Sequence, residues 1–147
     1  MFLLDTNVLS EIRKFDEERG DHHVRMWSYS SLRQSSISVL SLFELRQGVR
    51  KLELRNDFVQ ARVYQSWIET KVVPYYFNRI LPVTQTIAEA GGLLYHPDPV
   101  SEVDRLLAAT AMTHDLTLVT RNVQHFRASE EAGLRVLNPW TPRLHLL

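Results

Sequence analysis

The amino-acid sequence predicts an α/β sandwich built on a mostly parallel sheet. Two observations carry this. Short apolar runs recur along the chain, separated by segments whose apolar residues repeat at helical spacing. The short runs are also apolar throughout, with no in–out alternation, as befits strands covered by helices on both faces.

Taken in order, "FLL" (Phe2–Leu4) predicts a first buried strand. Asn7–Arg13 predicts a helix, with Val8, Leu9 and Ile12 on one side. "ISV" (Ile37–Val39) is a second strand. It leads into a helix over Leu40–Leu52, whose stripe is Leu42, Leu45, Val49 and Leu52. A helical pattern runs from Asp57 to about Val73 and is expected to stop at Pro74. "RILPV" (Arg79–Val83) is a third strand. Thr84–Tyr95 is a helix with Ile87, Ala88, Gly91 and Leu94 on one face, and "HPDP" (His96–Pro99) is a loop. Ser101–His114 is a helix, Leu116–Thr120 a strand and Arg135–Pro139 a last short strand. No repeat, low-complexity tract or linker divides the chain, so one domain is expected over 1–147. A domain of this length buries roughly 68–70% of its unfolded surface.

Composition narrows the chemistry. Residues are 44% hydrophobic and 23% charged, and the formal net charge is zero. That argues against a broad basic face for nucleic acid but leaves room for a local groove. There is no cysteine, which excludes disulfides, thiolate metal sites and a thiol nucleophile. The six histidines show no His-Glu-x-x-His spacing, and no P-loop, G-x-G-x-x-G or G-x-S-x-G motif occurs. The apolar start is interrupted at Asp5, too early for a secretory signal. No run approaches the ~18 apolar residues of a membrane span. The expectation is a soluble intracellular protein.

Sites in such sheets form beyond the carboxyl ends of the strands. Asp5 sits at one such end and "TRN" (Thr120–Asn122) at another. Asp5 has no basic partner nearby in sequence, and a free carboxylate is costly at a buried strand end. It also suits a helix N-cap, and both roles are compatible. Glu44 fits a capping box opened by Ser41. Alternatively it is a ligand, because Ser41 and Gly48 on its helix face would leave room for one. Asp104 lies in a helix's first turn beside a buried stripe of Val103, Leu106, Leu107, Thr110 and Ala111. There it also favours the helix dipole. Asn122 and His125 follow the Leu116–Thr120 strand and by themselves read as turn residues. The aromatic-rich stretch from Arg62 to Phe77 suits core, dimerisation or a partner helix.

Five segments taken together say more: "LLDTNVLSE", "ISVLSLFELRQGVRKL", "RILPV", "VDRLLAATAMTHDLTLVTRNVQHF" and "GLRVLNPW". In this order, from Phe2 to Trp140, the chain resembles the PIN-domain endoribonuclease toxins of the VapC type, particularly the FitB-like branch. The resemblance implies a PIN-like three-layer sandwich and a type II toxin that cuts RNA at an acidic Mg²⁺ or Mn²⁺ site. Position by position it assigns the metal-binding acids to Asp5, Glu44 and Asp104. It assigns a further polar site residue to Asn122. The branch usually carries Asp three residues later, where this chain has His125. The resemblance also implies a cognate antitoxin, an RNA substrate, a homodimer and a bacterial cytoplasmic setting. Two other readings compete. One is a PIN domain that has lost catalysis and serves as a protein- or RNA-binding module, supported by His125. The other is an aspartyl-nucleophile phosphatase, which resembles this chain in "LLD" but usually has a second Asp where Asn7 stands.

Overall fold

A computed structural model describes residues 1–142. The last five positions of the expected 1–147 domain lie outside the described residues. The elements follow one another as strand β1 (Phe2–Leu4), helices α1 (Thr6–Arg13) and α2 (His22–Ser31), and strand β2 (Ser35–Ser38). Helices α3 (Val39–Leu54), α4 (Phe58–Trp67) and α5 (Val73–Tyr75) come next, then β3 (Ile80–Leu81), α6 (Gln85–Leu93) and α7 (Glu102–Thr113). The described residues end with β4 (Thr117–Val119), α8 (Arg127–Glu131) and β5 (Val136–Leu137).

The five strands form one parallel sheet in the order β3-β2-β1-β4-β5. Register pairs Leu3 with Ser36 on one side of β1 and Leu4 with Val119 on the other. Successive strand residues point to opposite faces, and β1 uses both. Leu4 packs with Val8, Ile37, Leu45, Ile68 and Val72. Leu3 packs with Leu107, Ala111, Leu118 and Phe126. Helices therefore cover the sheet on both sides, which is the expected layered α/β architecture. On the second side α6 and α7 approach closely. A Cβ at Gly91 would stand 3.0 Å from the Leu106 side chain.

Several local expectations are corrected. Helix α2 was not anticipated. Its buried residues Val24, Trp27, Ser28 and Ser31 have helical spacing, but two of them are serines, which hide the stripe. Helix α3 begins at Val39 with Ser38 as N-cap, whose hydroxyl accepts from the Leu40 amide. The Ser41 capping box is therefore absent. Ser41 is fully buried, and among the described residues its Oγ has no hydrogen-bond partner. Pro74 does not stop its helix at once. A π turn over Ile68–Val72 precedes it and α5 continues to Tyr75, since a wider turn accommodates the ring and the missing amide proton. The third strand is shorter than Arg79–Val83 because Pro82 cannot donate to the ladder. Among the aromatics, Trp27 and Tyr76 are core, whereas Tyr75 and Phe77 are exposed. Among the described residues, no helix is long and apolar enough to cross a membrane.

Candidate active site

The strand order reverses direction about β1: the chain builds outward to β3, then returns to place β4 on the other side. Such a reversal opens a crevice at the carboxyl ends of the strands, where no single connection covers both neighbours. Asp5 stands there, one residue beyond β1, with its amide donating to the Val119 carbonyl at 2.9 Å. It is also the N-cap of α1, accepting from the Thr6 amide at 2.7 Å. The capping and site readings of Asp5 are thus the same geometry.

Asp5 is 6% exposed, and among the described residues no cation stands against its carboxylate. Its partners are neutral: the Thr120 hydroxyl donates to Oδ2 at 2.8 Å and the Asn7 amide reaches the same oxygen at 3.4 Å. Burial pushes the carboxyl up to about 6. The Thr120 and Thr6 hydrogen bonds pull it down, while the negative charges of Glu44 and Asp104 raise it further. These two acids therefore act electrostatically on Asp5 although they come from other elements.

Glu44 is half-buried on α3, and its Oε1 accepts from the Thr6 hydroxyl at 2.7 Å. That bond ties α3 to the first turn of α1. Asp104 is in the first turn of α7, where its amide donates to the capping Ser101 hydroxyl at 3.0 Å. Its side chain is 18% exposed, and His125 Nδ1 lies 3.4 Å from its Oδ2. Of the two turn residues, His125 thus reaches the acids. Asn122 engages the site through its backbone, donating its amide to Thr120 Oγ1 at 3.0 Å and offering its carbonyl to the His125 amide. Its side chain does not cap the 3₁₀ turn that follows.

Two residues escaped the sequence reading. Asn7 donates to both Asp5 and Thr120 and accepts from the Arg121 amide at 3.2 Å. Thr120, fully buried, links Asp5, Asn7 and the Asn122 amide. Together they lock the ends of β1 and β4 and hold the Asp5 carboxylate. Their signal was the pair of polar tripeptides "DTN" and "TRN" at two strand ends.

As they lie, no three acidic or histidine side chains among the described residues stand close enough to enclose an ion. The donor set is nonetheless one of oxygens. Asp5 Oδ1 accepts one hydrogen bond and retains a free lone pair, whereas Oδ2 already accepts two. Mg²⁺ keeps several waters and takes only one or two protein carboxylates directly. Asp5, Glu44 and Asp104 are the residues that could hold such an ion, and Asp5 most needs its charge.

Known proteins resemble this chain in sequence and fold. The family model for the PIN domain covers residues 2–131. The toxin FitB of Neisseria gonorrhoeae is 33% identical over 147 residues, spanning 95% of this chain and 99% of FitB. The VapC ribonuclease Y4jK of Sinorhizobium fredii is 29% identical over 148 residues, spanning 97% and 99%. Among solved structures, FitAcB from Neisseria gonorrhoeae superimposes with a TM-score of 0.81 at 30% identity. The alignment covers 97% of this chain and all of that one. The acidic crevice at the strand-order reversal thus sits in a chain that belongs to the PIN domain family.

Proposed function

We propose that this chain is a divalent-metal-dependent endoribonuclease, the toxin of a type II toxin–antitoxin pair acting on RNA in the bacterial cytoplasm. The observation that carries the proposal is Asp5: a buried carboxylate with no cation against it among the described residues, facing two further acids at the sheet's reversal point. The names of the relatives, a VapC ribonuclease and a toxin, support the same reading. A bound Mg²⁺ or Mn²⁺ would supply a Lewis acid that activates water and screens charge on the scissile phosphate. The chain's residues do the positioning. Asp5 is aimed by Thr120 and Asn7, Glu44 is steadied by Thr6, and Asp104 is held by the start of α7 with His125 against it. The family resemblance implies a cognate antitoxin and a homodimer, and the toxin–antitoxin complexes among the structural neighbours support the antitoxin.

The open spacing of the acids favours one other reading, a PIN domain that binds without cutting. Asn7 counts against the phosphatase. It spends its amide on Asp5, Thr120 and the Arg121 backbone, and supplies no second acid. Incubating total RNA with purified protein separates the readings. Wild type with Mn²⁺ should generate new 5′ ends, EDTA should stop this, and Asp104→Asn should cut at least ~100-fold more slowly, about 2.7 kcal/mol in the barrier. RNA left whole by wild type with either metal would transfer the assignment to the binding module.

A further inference from the structure

We infer that the groove between α1 and α3 carries the RNA strand away from the cut, with Lys51 and Arg55 holding its backbone phosphates. The inference rests on the ribonuclease reading and deepens it. A groove of about 310 Å³ begins at Thr6 and Glu44, passes Ser10 and Gly48, and ends at Lys51 and Arg55. Glu44, Gly48, Lys51 and Arg55 recur at helical spacing and so share one face of α3. At about 1.5 Å per residue, Lys51 and Arg55 lie roughly 10 and 16 Å beyond Glu44 along the helix. That is the reach of a few nucleotides.

Two features point to a ligand in this groove. First, Lys51 and Arg55 are exposed, and neither has a carboxylate partner among the described residues. On the same helix Arg46 pairs with Glu69 and Arg50 with Glu53. Second, Gly48 is in the interior of a 16-residue helix, where glycine is disfavoured relative to alanine. Among the described residues, nothing lies within 4 Å of a Cβ built there. The fold itself does not require that glycine, whereas a strand passing along the groove does. The macrodipole favours a cation near the end of α3, but it does not account for Gly48. A polyanion meets both requirements: it needs cations at one end, and at the other it needs the acids bridged to its phosphate.

The test is fluorescence anisotropy with a labelled, randomised 12-nucleotide single-stranded RNA pool in Mg²⁺ buffer. Asp104→Asn serves as the uncut parent, titrated between 50 and 200 mM salt. Adding Lys51→Ala and Arg55→Ala should weaken binding at least ~10-fold at low salt. It should also flatten the log–log salt slope by about 1.4, the release expected from two single-strand phosphates. Adding Gly48→Gln should weaken binding similarly while raising Tm by roughly 2–4 °C, which a damaged fold would not do. Arg33→Ala with Lys71→Ala, a control away from this groove, should leave the slope unchanged. An unaltered slope and affinity in both groove variants would overturn the inference while leaving the nuclease reading intact. So would RNA binding kept and antitoxin binding lost, which would put a protein in the groove. A wild type that neither binds nor cuts RNA would remove the nuclease reading as well.

Discussion

Asp5 stores charge that the fold alone does not compensate. Its carboxyl ionises near 3.8 in the unfolded chain and at about 6 in the folded one, mainly because it is buried. Between these values the folded state holds the extra proton, so stability falls as pH rises through that window. At about 1.4 kcal/mol per unit, the metal-free protein loses about 3 kcal/mol from this group by pH 7. Asparagine keeps the Thr6 cap through its one carboxamide oxygen and gives up the Thr120 bond, a loss of about 1 kcal/mol that is smaller than the cost of the charge removed. Metal-free Asp5→Asn should therefore be more stable than wild type at pH 7.5, and the advantage should shrink toward pH 4. Chemical denaturation of both proteins across this range checks it, and a difference independent of pH would refute the account. Residues of this kind were legible: the acid after an apolar run is visible as an oddity. Thr120 and Asn7 were not, because their bonds join positions 113 and 115 residues apart in the chain. His125 was visible only as a departure from a pattern, and its contact with Asp104 needed the fold.

At the scale of elements, the start of α3 decides what Glu44 is for. With Ser38 as N-cap, Glu44 lies in the second turn, beyond the position from which a capping box reaches back. Its bond is to the Thr6 hydroxyl, and the amide oxygen of glutamine can accept that bond equally. Glu44→Gln should therefore keep wild-type stability to within ~0.5 kcal/mol and lose at least ~10-fold in RNA cleavage, about 1.4 kcal/mol. Full activity across a Mn²⁺ titration would return Glu44 to a purely structural role. The capping box was misplaced because two serines, Ser38 and Ser41, precede the same apolar stripe. Only backbone geometry shows which one leaves the helical region. The same limit hid α2. Its N-cap, Asp21, accepts from the His23 and Val24 amides, but serines on a buried face blur the apolar period on which recognition of a helix depends.

At the scale of the whole molecule, the parallel order β3-β2-β1-β4-β5 gathers acids that are far apart in sequence. Asp5 follows β1, Glu44 is carried by the helix after β2, and Asp104 opens the helix before β4. The strand–helix alternation made that layered plan legible, since each apolar run had to be covered on both faces. The crevice then holds a buried charge that destabilises the metal-free molecule, and on the proposed reading a bound ion would relieve it. Anything that binds only the folded state stabilises it by mass action, about 2.7 kcal/mol at 100 times the dissociation constant. For domains near this size that is worth roughly 2–4 °C per kcal/mol. In EDTA at pH 7.5, Asp5→Asn should melt above wild type, because it lacks the buried charge. In saturating Mn²⁺, wild type should rise by several degrees, whereas Asp5→Asn and Asp104→Asn should barely move, each having lost a ligand oxygen's charge. The melting order of wild type and Asp5→Asn should therefore close or invert between the two buffers. Differential scanning calorimetry on the three proteins reads this directly, with no RNA present. Equal Mn²⁺-induced shifts in all three would mean that the ion binds elsewhere, and that Asp5 is buried for the sake of the α1 cap alone.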